Sequence, residues 1–493
     1  MSGTALALST AMRIVIILVA AVIAGSCSTD DRLARDRIRA QVEAARTPEY
    51  ATRNKEARRL WTSARDFYRA RAFAPVWLDQ RRATPKMDAL VAAVKQAARD
   101  GLDPVLYDIA FVDERGGNGR KRFTEVDAGE VEVRLTLLYM QYASDLADGV
   151  SDLAQSNPAW HMRPRTFDPA AHLTAAIADR KIAESLDALR PGNQEYRALG
   201  KLLADYRDRA SHGRSAPDTD GVSLAERIKQ IELNMERWRW LPRERAAKHI
   251  VVNIPAFRLE VRERDTVVLS MRVVVGKKDT PTPIFNDAMT HVVFSPYWNV
   301  PPTIAKGETL PSALRDPSFL RRTNMEVLDD KGQVVDPESI DLERYGDYKF
   351  RQRPGSGNAL GLVKFMFPNE FNVYLHDTPA DSLFARASRS FSHGCVRVEQ
   401  PQALAEYLLK DRAEWTRETI TEAMHAGVER TVKLREPVPV YIGYWTVDVT
   451  PDGRATFLPD VYGLDARQAA ALNERLALAR QPARIASRDR QLK

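Results

Sequence analysis

The hydrophobic period changes at Pro242, so a single helical bundle or a single sheet cannot account for this 493-residue chain. Upstream, Met87, Leu90, Val91, Val94 and Ala98 recur at helical spacing, and Gly101 supplies a stop. Val131, Leu135, Leu138, Tyr142 and Leu146 repeat the pattern and end before Gly149. One more helix is predicted over Leu224–Trp240, and Pro242 closes it. Downstream the apolar residues alternate. His249–Ile254, Arg258–Arg262 and Thr266–Gly276 read as consecutive strands, with Val267, Leu269, Met271, Val273 and Val275 on one face of the third. Further strands are predicted at His291–Phe294, Leu362–Phe367, Phe371–Asp377 and Val438–Val449.

The expected class is α+β, with helices first and a mostly β domain after them. Residues 28–60 are charged and read as a solvated leader helix or stalk, and 61–210 form the helical domain. Residues 211–223 are polar and rich in structure breakers, which suits a linker. The β domain spans 224–450. Within it, 301–353 is polar and irregular and reads as an inserted lid. Residues 451–493 form a C-terminal extension with a basic tail. Six basic residues and one acid after Glu474 account for +5 of the formal +7, so the body carries about +2. That leaves no concentrated basic surface, and nucleic acid is not an expected partner.

Arg13 precedes eleven apolar residues, Ile14–Ala24, then Gly25-Ser26-Cys27. The run is too short to span a bilayer and fits the core of a secretion signal over 1–27. Small residues ahead of Cys27 resemble a bacterial lipobox, which implies lipidation of Cys27 and a membrane anchor. The alternative is a plain secretion signal with Cys27 incidental. No later segment is long and apolar enough to cross a membrane, and the body is expected to be soluble.

Chemistry concentrates in Phe371-Asn-Val-Tyr374-Leu-His376-Asp377 and Ser392-His393-Gly394-Cys395-Val396-Arg397. On a strand, Tyr374 and His376 share one face while Val373 and Leu375 take the other. An imidazole that accepts the Cys395 proton generates the reactive thiolate. Gly394 lets the backbone turn its N–H groups towards a developing oxyanion. Three readings stay open from the residues alone: a Cys/His acyl-transfer site, an inert buried thiol, or His376, His393 and Cys395 as metal ligands. His161, His172 and His212 are isolated and read as surface or structural histidines. Gly355-Ser-Gly357-Asn-Ala-Leu-Gly361 has the wrong spacing for a phosphate loop and reads as a turn before a strand.

His376, fifteen residues and then Ser392-His393-Gly394-Cys395-Val396-Arg397 resemble the signature of the bacterial L,D-transpeptidase catalytic domain. Phe294-Ser-Pro-Tyr297-Trp298-Asn299, Asn358-Ala-Leu-Gly361 and Asn234-Met-Glu-Arg237-Trp238 are similar to its large, scaffold-bearing subgroup in Gram-negative bacteria. Asp66-Phe-Tyr68, Pro75-Val-Trp77 and Asp100-Gly-Leu-Asp-Pro104 resemble the scaffold domain. The small peptidoglycan-binding domain usual in that subgroup has no counterpart, because only the short polar linker stands in its place.

The resemblance implies Cys395 as nucleophile, His376 as its general base and His393 as a second site histidine. It implies an oxyanion hole of the Gly394 and Cys395 N–H groups with the Tyr374 hydroxyl. Arg397 would be structural or would hold a substrate carboxylate, and Tyr297 and Trp298 would line the peptide cleft or pack in the core. No metal or organic cofactor is implied. The implied partners are peptidoglycan stem peptides, and the implied location is the periplasm with a possible outer-membrane anchor. The implied reaction is 3–3 cross-linking, with an L,D-carboxypeptidase, a lipoprotein-tethering enzyme or an inactive wall-binding lipoprotein as alternatives.

Overall fold

The computed structural model describes residues 29–116, 122–151, 157, 159–162, 167–212, 220–316, 318–337, 346, 348–450 and 453–480. The signal segment, Cys27 and residues 481–493 lie outside the described residues. The chain divides into two compact units, one of Met1–Val150, Thr166–Pro191 and Leu472–Lys493, the other of Ser151–Arg165 and Gly192–Ala471. Among the described residues no helix is long and apolar enough to cross a membrane.

The first unit is helical. Pro85–Lys95 buries Met87, Leu90 and Val94, and Gly101 (φ 68°) closes the turn that follows. Glu125–Asp148 begins where the Thr124 hydroxyl accepts the Asp127 N–H, and Val131, Leu135, Tyr142 and Leu146 are fully buried along it. The charged leader departs from expectation. Its helix, Thr29–Val42, docks Ile38 and Val42 into the core, and Arg37 ion-pairs with Glu125 at 2.9 Å. Two apolar positions one turn apart suffice to seat a helix whose other faces stay wet.

A buried polar node ties this unit together. Glu132 accepts backbone N–H groups from Val76, Trp77 and Leu78, the last two at 2.9 and 3.0 Å. Thr136, one turn on, meets the Tyr68 hydroxyl at 2.7 Å and the Trp77 indole N–H at 2.9 Å. Tyr68 and Trp77 thus converge on one turn of the long helix.

The second unit is built on a mixed nine-stranded sheet. Its strands are β1 (Lys248–Asn253), β2 (Arg258–Glu263), β3 (Thr266–Gly276), β4 (Phe285–Phe294), β5 (Val363–Met366), β6 (Leu375–His376), β7 (Ser390–Ser392), β8 (Val396–Val398) and β9 (Arg430–Gly443). Their order is β7-β3-β8-β6-β5-β4-β9-β1-β2, and β2 also pairs with β3, which closes the sheet on itself. Val252, Leu259, Val273, Val292, Phe365 and Val440 fill its core and are fully buried. In β3 the expected alternation holds only in part. Val267 is exposed at the β2–β3 hairpin, whereas Val273, Val274 and Val275 are all buried because both faces are covered there.

Helix Leu224–Arg239 starts at a Ser223/Glu226 capping box. The Asn234 side-chain oxygen accepts Thr446 N–H (2.8 Å) and Val447 N–H (3.2 Å), ending the run of β9 and starting the short strand Val447–Val449. Helix Gln194–Ser211, read from the sequence with the helical half, packs Leu199 and Leu203 into the same core as Ile231 and Met235.

The described residues of 301–353 are not irregular. They form short helices and the strands Met325–Leu328, Val334–Val335 and Lys349–Gln352, which extend a four-stranded sheet from Trp298–Asn299. Val300, Ala305, Ala313, Leu320, Val327 and Phe350 give this cap its own small core. Few apolar residues in a polar stretch conceal such a unit from periodicity. Among the described residues of the C-terminal extension, helix Leu464–Arg480 buries Leu464 and Leu476, and Arg475 pairs with Asp145 at 3.0 Å.

Candidate active site

Parallel pairing of β6 with β8 builds the site. Leu375 faces Val396 and His376 faces Arg397 in register, and Val396 N–H donates to the Tyr374 carbonyl at 3.1 Å. Cys395, one residue before β8, is thereby set beside Tyr374. The expected strand Phe371–Asp377 is shortened to Leu375–His376, because Asn369 staples the preceding loop. Its carboxamide donates to the Phe367 and Val373 carbonyls and accepts from the Phe371 and Val373 N–H groups. Asn372 takes a positive φ of 53° in that loop, and its carbonyl accepts the Cys395 thiol at 3.8 Å.

Gly394 sits at φ 119°, a conformation open to glycine and strained for other residues. Its carbonyl accepts the Thr282 hydroxyl at 2.8 Å, which fixes the turn from below. The Gly394 N–H donates to the Ser392 hydroxyl at 3.1 Å, and that hydroxyl donates to the Cys395 carbonyl at 2.5 Å. The Gly394 amide, expected in the oxyanion hole, is therefore already engaged. The Cys395 N–H has no partner among the described residues.

His376 is buried, and its Nδ1 lies 2.5 Å from the Asp377 carbonyl. A carbonyl only accepts, so Nδ1 carries the proton and Nε2 is the basic nitrogen. Burial, reinforced by the Arg397 charge, pushes this imidazole down to about 3, against the pull of the Asp377 and Leu360 carbonyls. Gly361, next to Leu360, takes a positive φ of 63°. A Cβ there would lie 2.3 Å from the Asp377 carboxylate, which itself accepts Leu362 N–H at 2.8 Å.

Burial pushes the Cys395 thiol up to about 11, opposed by the Tyr374 N–H, the Tyr374 hydroxyl and Arg397. Burial and the nearby sulfur hold the Tyr374 phenol well above its usual range. The resting pair is therefore a neutral thiol and a neutral imidazole. The thiolate forms only as pH rises towards 11, so alkylation of Cys395 by iodoacetamide should climb about tenfold per pH unit from pH 7 to 10. A plateau between pH 5 and 7 would mean a preformed thiolate–imidazolium pair instead.

Arg397 makes no hydrogen bond or ion pair among the described residues, and its Nε is buried without a partner. His393 is partly exposed, and its Nε2 meets Glu308 of the cap at 2.6 Å. Tyr297 lies under the Arg351 guanidinium (4.3 Å) and Trp298 packs on the cap core, so both form the root of the cap. His161, read as isolated, lies against Phe371 with ring centres 4.7 Å apart, next to the loop that receives the thiol. No sequence signal links His161 or Glu308 to this region, since their partners Phe371 and His393 lie far along the chain. Among the described residues no three His, Cys, Asp or Glu side chains converge as a metal site.

Comparison with known proteins matches residues 62–203 to a scaffold domain and residues 247–440 to an L,D-transpeptidase catalytic domain. A Haemophilus influenzae protein assigned by name to the L,D-transpeptidases is 29% identical over 401 residues, covering 81% of this chain and 77% of that one. Among solved structures, an L,D-transpeptidase from Mycobacterium smegmatis matches at 16% identity with a TM-score of 0.19, over 40% of this chain and 58% of that one. L,D-transpeptidase 1 of Mycobacterium tuberculosis matches at 15% identity and a TM-score of 0.16, over 40% and 59%. The chain thus spans less than two thirds of those solved chains.

Proposed function

The chain carries an L,D-transpeptidase catalytic domain behind a scaffold domain, and on that premise we propose that it cross-links peptidoglycan stem peptides through a Cys395 thioester. The observation that supports the reading is the β6–β8 register: Cys395 lies beside Tyr374, and His376 pairs with Arg397 across the two strands.

In this reading His376 Nε2 takes the thiol proton as the sulfur attacks the carbonyl of the third stem residue. The resting thiol is turned to Asn372, so substrate must draw it towards the imidazole. Proton transfer then yields an imidazolium that the Asp377 and Leu360 carbonyls stabilise. The Cys395 N–H and the Tyr374 hydroxyl receive the oxyanion. His376 returns its proton to the departing amine of D-Ala, leaving a thioester. A side-chain amine of a second stem takes the acyl group and gives a 3–3 cross-link. Water as acceptor would make a carboxypeptidase, and a lipoprotein lysine would make a tethering enzyme. Export to the periplasm and lipidation of Cys27 belong to the same proposal and rest on the sequence of residues 13–28.

Arg397 is assigned to a substrate carboxylate, because a guanidinium with a buried, unpartnered Nε suits a bidentate anion. Arg397→Lys keeps the charge and loses the fork, and should raise KM by roughly tenfold. An unchanged KM would return Arg397 to a structural role. The function itself is tested by incubating the full chain with tetrapeptide muropeptides and analysing products by mass spectrometry. Cross-linked dimer supports transpeptidation and tripeptide alone supports carboxypeptidation. Neither product, with Cys395 unmodified, would leave an inactive wall-binding protein.

A further inference from the structure

We infer that Glu308 of the cap is a positioning residue for the acceptor half of the reaction, holding His393 as a second base that deprotonates the incoming amine. The inference rests on the transpeptidase reading and adds a division of labour between the two histidines.

A carboxylate only accepts, so the 2.6 Å contact places a proton on His393 Nε2 and, in the neutral ring, leaves Nδ1 basic. Nδ1 has no partner among the described residues. His376 has the opposite tautomer, with Nδ1 donating to the Asp377 carbonyl. The site thus holds two imidazoles with differently placed lone pairs. One is buried, and the other is partly exposed, its side chain 32% accessible.

Acyl transfer to an amine needs both. The acceptor arrives as an ammonium and must lose one proton before it can attack, then a second as the amide forms. His393 Nδ1 takes the first proton, and the resulting imidazolium is held by Glu308 until it releases the proton to solvent. The neutral amine attacks the thioester and the C–S bond breaks. The second amine proton passes to His376 and then to the Cys395 thiolate. Protons and electrons balance with no further reactant. Water carries no surplus proton, so hydrolysis needs His376 alone.

The local backbone supports a dedicated role. Glu308 lies in a π-helical turn, Ala305–Thr309, between Pro302–Ile304 and Leu310–Arg315, and such turns recur at functional sites. Stability does not explain the pair. Glu308 is mostly exposed, and an exposed ion pair adds little to stability. Its effect is orientation: it sets the His393 ring and couples that ring to the cap.

The test is the ratio of cross-linked dimer to tripeptide formed by the full chain from tetrapeptide muropeptides, with acylation of Cys395 followed separately by intact mass. Glu308→Gln should slow transfer to the amine about tenfold more than acylation, so the ratio falls about tenfold, and Glu308→Asp should restore part of it. A ratio unchanged in Glu308→Gln, or equal losses in acylation and both products, would overturn the inference while leaving the transpeptidase reading intact. A wild-type chain that is acylated but yields only tripeptide would overturn both.

Discussion

Cys395→Ala is expected to reduce dimer and tripeptide formation by roughly 10⁴-fold or more, because no other group in the site can form the thioester. The change should leave the fold in place. Cys395 is half-buried and its thiol donates only a long contact to the Asn372 carbonyl, so unfolding should shift by no more than about 1 kcal/mol. Measured together, product yield and urea unfolding separate a lost nucleophile from a lost structure. Turnover that persists in a folded variant would remove Cys395 from the mechanism.

The largest effect on stability is expected from Glu132→Ala in the helical unit. The carboxylate receives three backbone N–H groups in a buried setting, and truncation strands all three. At about 1–3 kcal/mol for each stranded donor, the loss is on the order of 5 kcal/mol, comparable to the whole stability of a marginal domain. Urea unfolding of the full chain should show the helical unit melting early. Iodoacetamide labelling of Cys395 at low urea should stay slow, because the second unit keeps its own core. Unfolding that moves by less than 1 kcal/mol would mean the segment Val76–Leu78 is held by packing alone.

Much of the site was legible because its chemistry is nearly local. Tyr374 and His376 sit two apart, Cys395 and Arg397 sit two apart, and one parallel pairing joins the two segments. The resemblance to a family motif supplied their roles; spacing alone left a metal site and an inert thiol open. What the sequence did not reveal depends on distant partners. Glu308 reaches His393 across 85 positions, and His161 reaches Phe371 across a longer span. The Gly394 amide belonged to the expected oxyanion hole, yet the neighbouring Ser392 hydroxyl takes it, a choice that depends on a rotamer.

The fold shows the same division. Helices with a full apolar stripe, such as Glu125–Asp148, were readable from periodicity. The leader helix was legible as a helix but not as a docked one, because only Ile38 and Val42 mark its buried edge. The cap was hidden because its small core draws isolated apolar residues from several short elements. The β6 strand was overextended because period-two alternation continues back to Phe371, while the Asn369 staple ends the pairing at Leu375.

The central claim is that Cys395 becomes acylated by the donor stem with loss of D-Ala. Intact-mass measurement of the full chain, quenched in acid during turnover of a tetrapeptide muropeptide, tests it most directly. The expected result is a transient adduct equal to the donor minus D-Ala, localised by peptide mapping to Cys395 and absent in Cys395→Ala. Product formed without any adduct, or an adduct mapped to another residue, would contradict it.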